Sequence, residues 1–86
     1  MLEKIHERVP VIFFFDPFTK RKWPAKLLWR GRAYTIKKLG MHYKVREGRT
    51  LIHIFTVSTD TLDFKLRLDT EELTCVVEEV TDGLAS

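Results

Sequence analysis

Leu62, Phe64, Leu66 and Leu68 alternate with Asp63, Lys65, Arg67 and Asp69. A period of two, with one apolar and one charged side, marks a strand half-buried in a sheet. Just upstream, residues 50–58 (TLIHIFTVS) are rich in β-branched types, which suit a pleated and partly buried surface, and predict a second strand. Ser58, Thr59, Asp60 and Thr61 supply turn material between the two, so the pair is expected to form a hairpin. Further upstream, segments 23–29 and 32–38 flank Arg30-Gly31, where glycine supplies the positive φ of a tight hairpin loop. A two-residue loop there sets Leu27 opposite Tyr34 and Ala25 opposite Ile36, and with Trp29 these make a core face.

Apolar positions are even at Tyr34 and Ile36 but odd at Met41, Tyr43 and Val45, so one extra residue has to be absorbed between them. Gly40 is the expected site of that bulge or bend. Glu47-Gly48 marks the following turn. Near the start, 11–15 reads as a strand closed by Asp16-Pro17, whose proline presets a turn conformation. Near the end, 69–72 reads as a turn. Leu73, Cys75 and Val77 then recur every second residue, predicting a strand from 73 to about 80, although Thr70, Glu71 and Glu72 also fit the opening of a short helix. Residues 2–9 are the other weak helical candidate.

These segments predict an all-β, mainly antiparallel protein of about six strands in meander order, with at most one short helical turn. A sheet this small must protect its edges and has no chain to spare for a covering helical layer, so it is expected to curl into a small barrel or roll. A chain of 86 residues buries only roughly 60% of its unfolded surface, enough for one core. The expectation is a single domain, 1–86, with an ordered core of about 9–80 and a frayed tail at 81–86.

Composition narrows the surroundings. No apolar run approaches the roughly 20 residues of a bilayer span. The longest, 9–15, contains Pro10 and stops at Asp16, and Glu3, Lys4, Glu7 and Arg8 interrupt any N-terminal signal-type core. The implied location is cytoplasmic, with no membrane partner. Cys75 is the single cysteine, which excludes an internal disulfide and agrees with a reducing compartment.

The modest net charge of +3 conceals a strong asymmetry. From Lys20 to His53 there are eleven Lys and Arg against Glu47 alone, a balance of +10, whereas from Ile54 onward two cations face eight carboxylates, a balance of −6. Such asymmetry bears on partners and steering, not on fold.

Little in the chain suggests catalysis. No phosphate-binding glycine loop, nucleophile elbow, paired-cysteine or zinc-protease motif is present, so an enzyme is not expected. With a two-residue turn at Glu47-Gly48, His42 sits directly opposite His53, a cross-strand pair able to touch. Zinc needs three or four ligands and none completes this pair locally, so neither metal nor cofactor is implied. Cys75 alternates in phase with Leu73 and Val77 and reads as a small buried apolar residue, not an activated thiol.

The basic segment carries the strongest functional suggestion. Lys20, Arg21, Lys22, Arg30, Arg32, Lys37, Lys38 and Arg49 are expected to position phosphates, and Trp23 and Tyr43 to stack on bases of DNA or RNA. The competing reading makes these aromatics core residues and the cations a solubilising surface paired with the acidic C-terminal third. A different class of function, a protein-interaction or structural adaptor, would use a sheet edge or the acidic surface, with a protein partner or a second copy of the chain forming a homodimer.

Trp29-Arg30-Gly31-Arg32 with Tyr34, Gly48-Arg49-Thr50 with His53 and Phe55, and 64–69 followed by Leu73 together resemble a family of short bacterial proteins, a domain of unknown function with a Trp-Arg-Gly-Arg-x-Tyr hairpin. The likeness spans about 11–82. Its shared positions are turn and core-strand residues, so the resemblance implies a fold and no catalytic residue. Related small domains accompany polymerase-like DNA-repair proteins, and the resemblance therefore leans toward nucleic-acid transactions.

Overall fold

In the computed structural model, which describes residues 2–82, the chain forms eight strands and, among those residues, no helix. They are β1 (Glu3–Arg8), β2 (Val11–Phe15), β3 (Lys22–Trp29), β4 (Arg32–Thr35), β5 (Lys38–Glu47), β6 (Thr50–Ser58), β7 (Asp63–Asp69) and β8 (Thr74–Thr81). All pairings are antiparallel, in a five-stranded sheet of order β1-β8-β7-β6-β5 and a three-stranded sheet of order β2-β3-β4.

The chain crosses between sheets at two corners. At Val9 and Pro10, the Val9 N–H donates to the Cys75 carbonyl while the Pro10 carbonyl accepts from Leu28. At Ile36 and Lys37, the Ile36 N–H donates to Ala25 and the Lys37 N–H to Ser58. These shared corners fold the two sheets face to face into a small roll rather than a closed barrel. They also account for eight strands in place of about six. The 32–47 stretch breaks at its corner, and 2–9 is not helical but supplies β1, because β8 offers a free edge with which it can pair.

Local expectations hold where loop geometry decides. Trp29 pairs with Arg32 and Leu27 with Tyr34 around Arg30 (φ 52°) and Gly31 (φ 78°). The extra residue is absorbed at Gly40. The ladder shifts between Leu39 and His42, and a Cβ on Gly40 would lie 2.4 Å from Thr56 Oγ1. That hydroxyl accepts the Met41 N–H at 2.6 Å.

Two expectations need correction. The β5–β6 loop is Gly48-Arg49, not Glu47-Gly48: Gly48 takes the left-handed conformation (φ 62°) as first loop residue, so Glu47 pairs with Thr50 and His42 faces Phe55. Leu73 does not open β8. It lies in the preceding turn at φ 58°, 79% exposed, while Asp69 accepts from the N–H groups of Glu71 and Glu72 to build that turn. From residue 83 on, the expected frayed tail lies outside the described residues.

The interior lies between the sheets. Phe55, Leu66 and Val77, aligned across β6, β7 and β8, are fully buried, and Leu27 covers them from the smaller sheet. Burying a side chain of this size contributes about 1.5–3 kcal/mol. Ile52, Ile54 and Val76 are also buried but belong to the outer face of the larger sheet, where Tyr43, Val45 and the stem of Arg67 flank them in the ladder. Arg67 is pinned there by an ion pair with Glu47.

Candidate nucleic-acid interface

β2 is apolar at every position, and a five-residue strand in so small a protein buries only one side. Val11 and Phe13 turn inward, the Phe13 ring lying 5.8 Å from that of Phe55. Ile12 and Phe14 are left on the outer side, with Phe14 50% exposed. Phe14 pairs in the ladder with Trp23, and their rings lie 4.8 Å apart.

The connection from β2 to β3 is organised by Asp16. Its Oδ1 accepts the N–H groups of Phe18 (2.9 Å) and Thr19 (3.4 Å), and its main chain bonds to Lys20 and Arg21 at 2.8 Å each. The Phe18 hydrogen bond first, then that of Thr19, holds the Asp16 carboxyl below its ordinary range. Asp16, the sole carboxylate within 11–35, is thus engaged by its own loop. The loop raises Phe18, 93% exposed, at its tip. It then delivers Arg21 beside Trp23, the guanidinium carbon 5.9 Å from the ring centroid.

The Ile36–Lys37 corner brings a second group of cations to the same place. Arg21, Trp23, Lys37 and Lys38 surround a cleft of about 360 Å³ whose remaining walls are Ile36 and Leu39. Among the described residues the ion pairs are Arg30–Glu7, Lys65–Glu79 and Arg67–Glu47. Lys20, Arg21, Lys37 and Lys38 take part in none of them. Side chains separated by fourteen residues or more are therefore gathered into one basic site with an aromatic wall.

The other expected contacts lie elsewhere. Arg30 is hydrogen-bonded to Glu7 at 2.6 Å and stacked on Trp29, 4.5 Å from the ring centroid. The pair holds the Glu7 carboxyl below and the Arg30 guanidinium above their ordinary values. Arg32 is exposed beside a separate shallow cleft that also includes Asp60. Lys22 turns to the interior side, 5.9 Å from the Phe15 ring. Tyr43, paired with Ile54, lies on the outer face of the larger sheet, and Arg49 sits in the β5–β6 loop. Phe14 and Phe18 were not expected at the site. Their signal was an apolar run longer than one strand face can bury, followed by an aromatic directly after Asp-Pro.

His42 and His53 meet as diagonal neighbours, not as a direct pair, with Nε2 and Nδ1 2.8 Å apart. One nitrogen must donate and the other accept. Desolvation first, then Lys22 and Lys44, lowers the His42 pKa; desolvation, His42 and the same lysines lower that of His53. That single N–H···N hydrogen bond gives the buried His53 a partner, and both rings stack with Phe55. Among the described residues, no three His, Cys, Asp or Glu side chains are grouped to hold a metal ion. Cys75 is buried, and burial pushes its thiol up to about 12, far from an activated nucleophile. No helix among the described residues is long and apolar enough to cross a membrane.

Comparison of the chain with protein-family models, with curated proteins and with solved structures finds no match.

Proposed function

We propose that the protein is a non-enzymatic binding module that holds single-stranded nucleic acid across the β2–β3 hairpin and the adjoining corner. One observation carries this reading. Exposed or half-buried aromatics (Phe14, Phe18, Trp23) share the β2–β3 hairpin with Lys20 and Arg21, and the cleft beside Trp23 adds Lys37 and Lys38; none of these four cations has an ion-pair partner among the described residues, and Asp16, the sole carboxylate within 11–35, is engaged by its own loop. Aromatic faces accept unpaired bases irrespective of sequence, and ammonium and guanidinium groups neutralise the phosphates between them. A duplex keeps its bases stacked on one another and has no use for the aromatic wall.

The test is binding of labelled single-stranded DNA, single-stranded RNA and duplex from low to physiological salt. Four phosphate contacts predict a slope of log affinity against log salt of about −3 for a single strand, and Lys38→Gln reduces it by about 0.7. Trp23→Leu weakens single-strand binding by about 1–3 kcal/mol and leaves the slope unchanged. Absence of binding at low salt removes this reading.

A second reading rests on the free edge of β5. This ten-residue strand pairs on one side only and presents Tyr43 and Val45, both partly exposed, beside the outer face. Such an edge can receive an extended segment of a protein partner or of a second copy.

A further inference from the structure

At the end of the interior bordered by Leu68 and Cys75, the two sheets do not close on each other. They leave a cavity of about 780 Å³, within the range of small-molecule sites. Its walls come from the Val9 corner, the inward side of β2, the end of β7 and the start of β8. Val9, Val11, Phe13 and Leu68 make it apolar. Its charged lining residues are Arg8 and Lys22. Neither has an ion-pair partner among the described residues, and no described Asp or Glu lines the space.

The mouth is built as though to touch something apolar. Phe15 and Leu73 both line it, and both are mostly exposed. Leu73 also holds a left-handed backbone (φ 58°) that glycine or asparagine adopts at lower cost. The described chain does not fill the space from its own ends. Glu3 pairs with Val80, so β1 begins and β8 finishes at the far end of the sheet.

The geometry points to a binding site for an amphipathic monoanion: an alkyl or aryl chain lies among Val9, Val11, Phe13 and Leu68, and its carboxylate meets Lys22. Apolar walls select the chain. A cationic lining without a carboxylate selects the sign of the head group over a neutral or cationic one. The Lys22 ammonium stays on this side because it rests against Phe15, whereas its neighbour Arg21 turns to Trp23. This site is separate from the basic cleft and does not depend on nucleic-acid binding.

The experiment is a titration of the ¹⁵N-labelled full chain with octanoate, decanoate and 1-decanol, each below its aggregation limit, followed by amide shifts. The expected result is saturable shifts clustered at Val9, Val11, Leu68, Leu73 and Thr74. Decanoate binds about fifteenfold more tightly than octanoate, since each of its two additional buried methylenes gives about fourfold. Lys22→Gln weakens decanoate about tenfold and leaves decanol unchanged, and its amide spectrum reports that the fold is kept. Shifts that do not saturate, or that map to another face, overturn the site. Decanol binding as tightly as decanoate, or a Lys22→Gln variant that binds decanoate like the parent, overturns the assignment to an anion.

Discussion

At the hairpin end of the roll, Trp29, Tyr34 and Phe64 interlock, with ring centroids 5.2–6.2 Å apart, and the interior is full. At the other end, four residues further along β7, Leu68 borders an open cavity. The difference is not a shortage of large side chains. Phe14, Phe15 and Phe18 all lie in or beside β2, yet the pleat and the Asp16 loop send one outward, one to the mouth and one to the loop tip. At the full end the aromatics come from a two-residue hairpin that holds them over Phe64. At the open end the inward positions pass to Val11, Phe13, Leu68 and Cys75, which line a space without filling it. Closure follows from where rings are aimed, and the chain spends its aromatic surface at the open end on exposure.

This contrast can be broken most sharply by truncation. Phe64→Ala is expected to cost about 3–5 kcal/mol, because two rings lose their partner in a packed site. Leu68→Ala is expected to cost about 2 kcal/mol, at the low end for such a change, because its surroundings are already open. Urea unfolding of the two variants measures both, and equal losses would contradict the contrast. Leu73→Asn acts in the opposite direction. Relief of the left-handed leucine is expected to stabilise the chain by about 0.5–1 kcal/mol, since Leu73 buries little. The unfolding midpoint checks it.

The smallest effect concerns the histidine pair stacked beside Phe55. His42 and His53 are held below their ordinary value of 6.5 in the folded chain. A group of depressed pKa binds its proton more readily once unfolded. The stability tied to these histidines is therefore whole above about pH 6.5 and declines as pH falls from there through their lowered values. Thermal midpoints at successive pH values, compared with those of His53→Leu, isolate the contribution. The variant is expected to be flatter between neutrality and the onset of carboxylate titration.

The roll was largely legible as strands and loops. Alternation at 62–69, the β-branched run at 50–58 and Gly31 each act through sterics within a few residues, and the observed elements follow them. Gly40 was legible for the same reason, since a change of apolar phase requires an extra residue wherever it is absorbed. Of the candidate site, Lys20, Arg21, Trp23, Lys37 and Lys38 were anticipated as part of a wider basic face, but which of its members share a cleft was not legible. Arg30 shows why: its partner Glu7 stands 23 residues away on a strand with no strong signal of its own. Nothing near Arg30 in the chain reveals that its charge is already matched.

The sequence by itself determined the period of two, the positions where the backbone must turn, and the uneven charge along the chain, because each is a property of neighbouring residues. Only the tertiary structure decided the rest. The conformation of Gly48 slid β5 by two residues so that His42 reaches His53 on the diagonal. The free edge of β8 made a strand of Glu3–Arg8. The two corners then chose which side of β2 is buried, which cations share a cleft, and which end of the interior stays open. Those outcomes depend on edges and faces supplied by distant segments, and they exist only once the chain has folded back on itself.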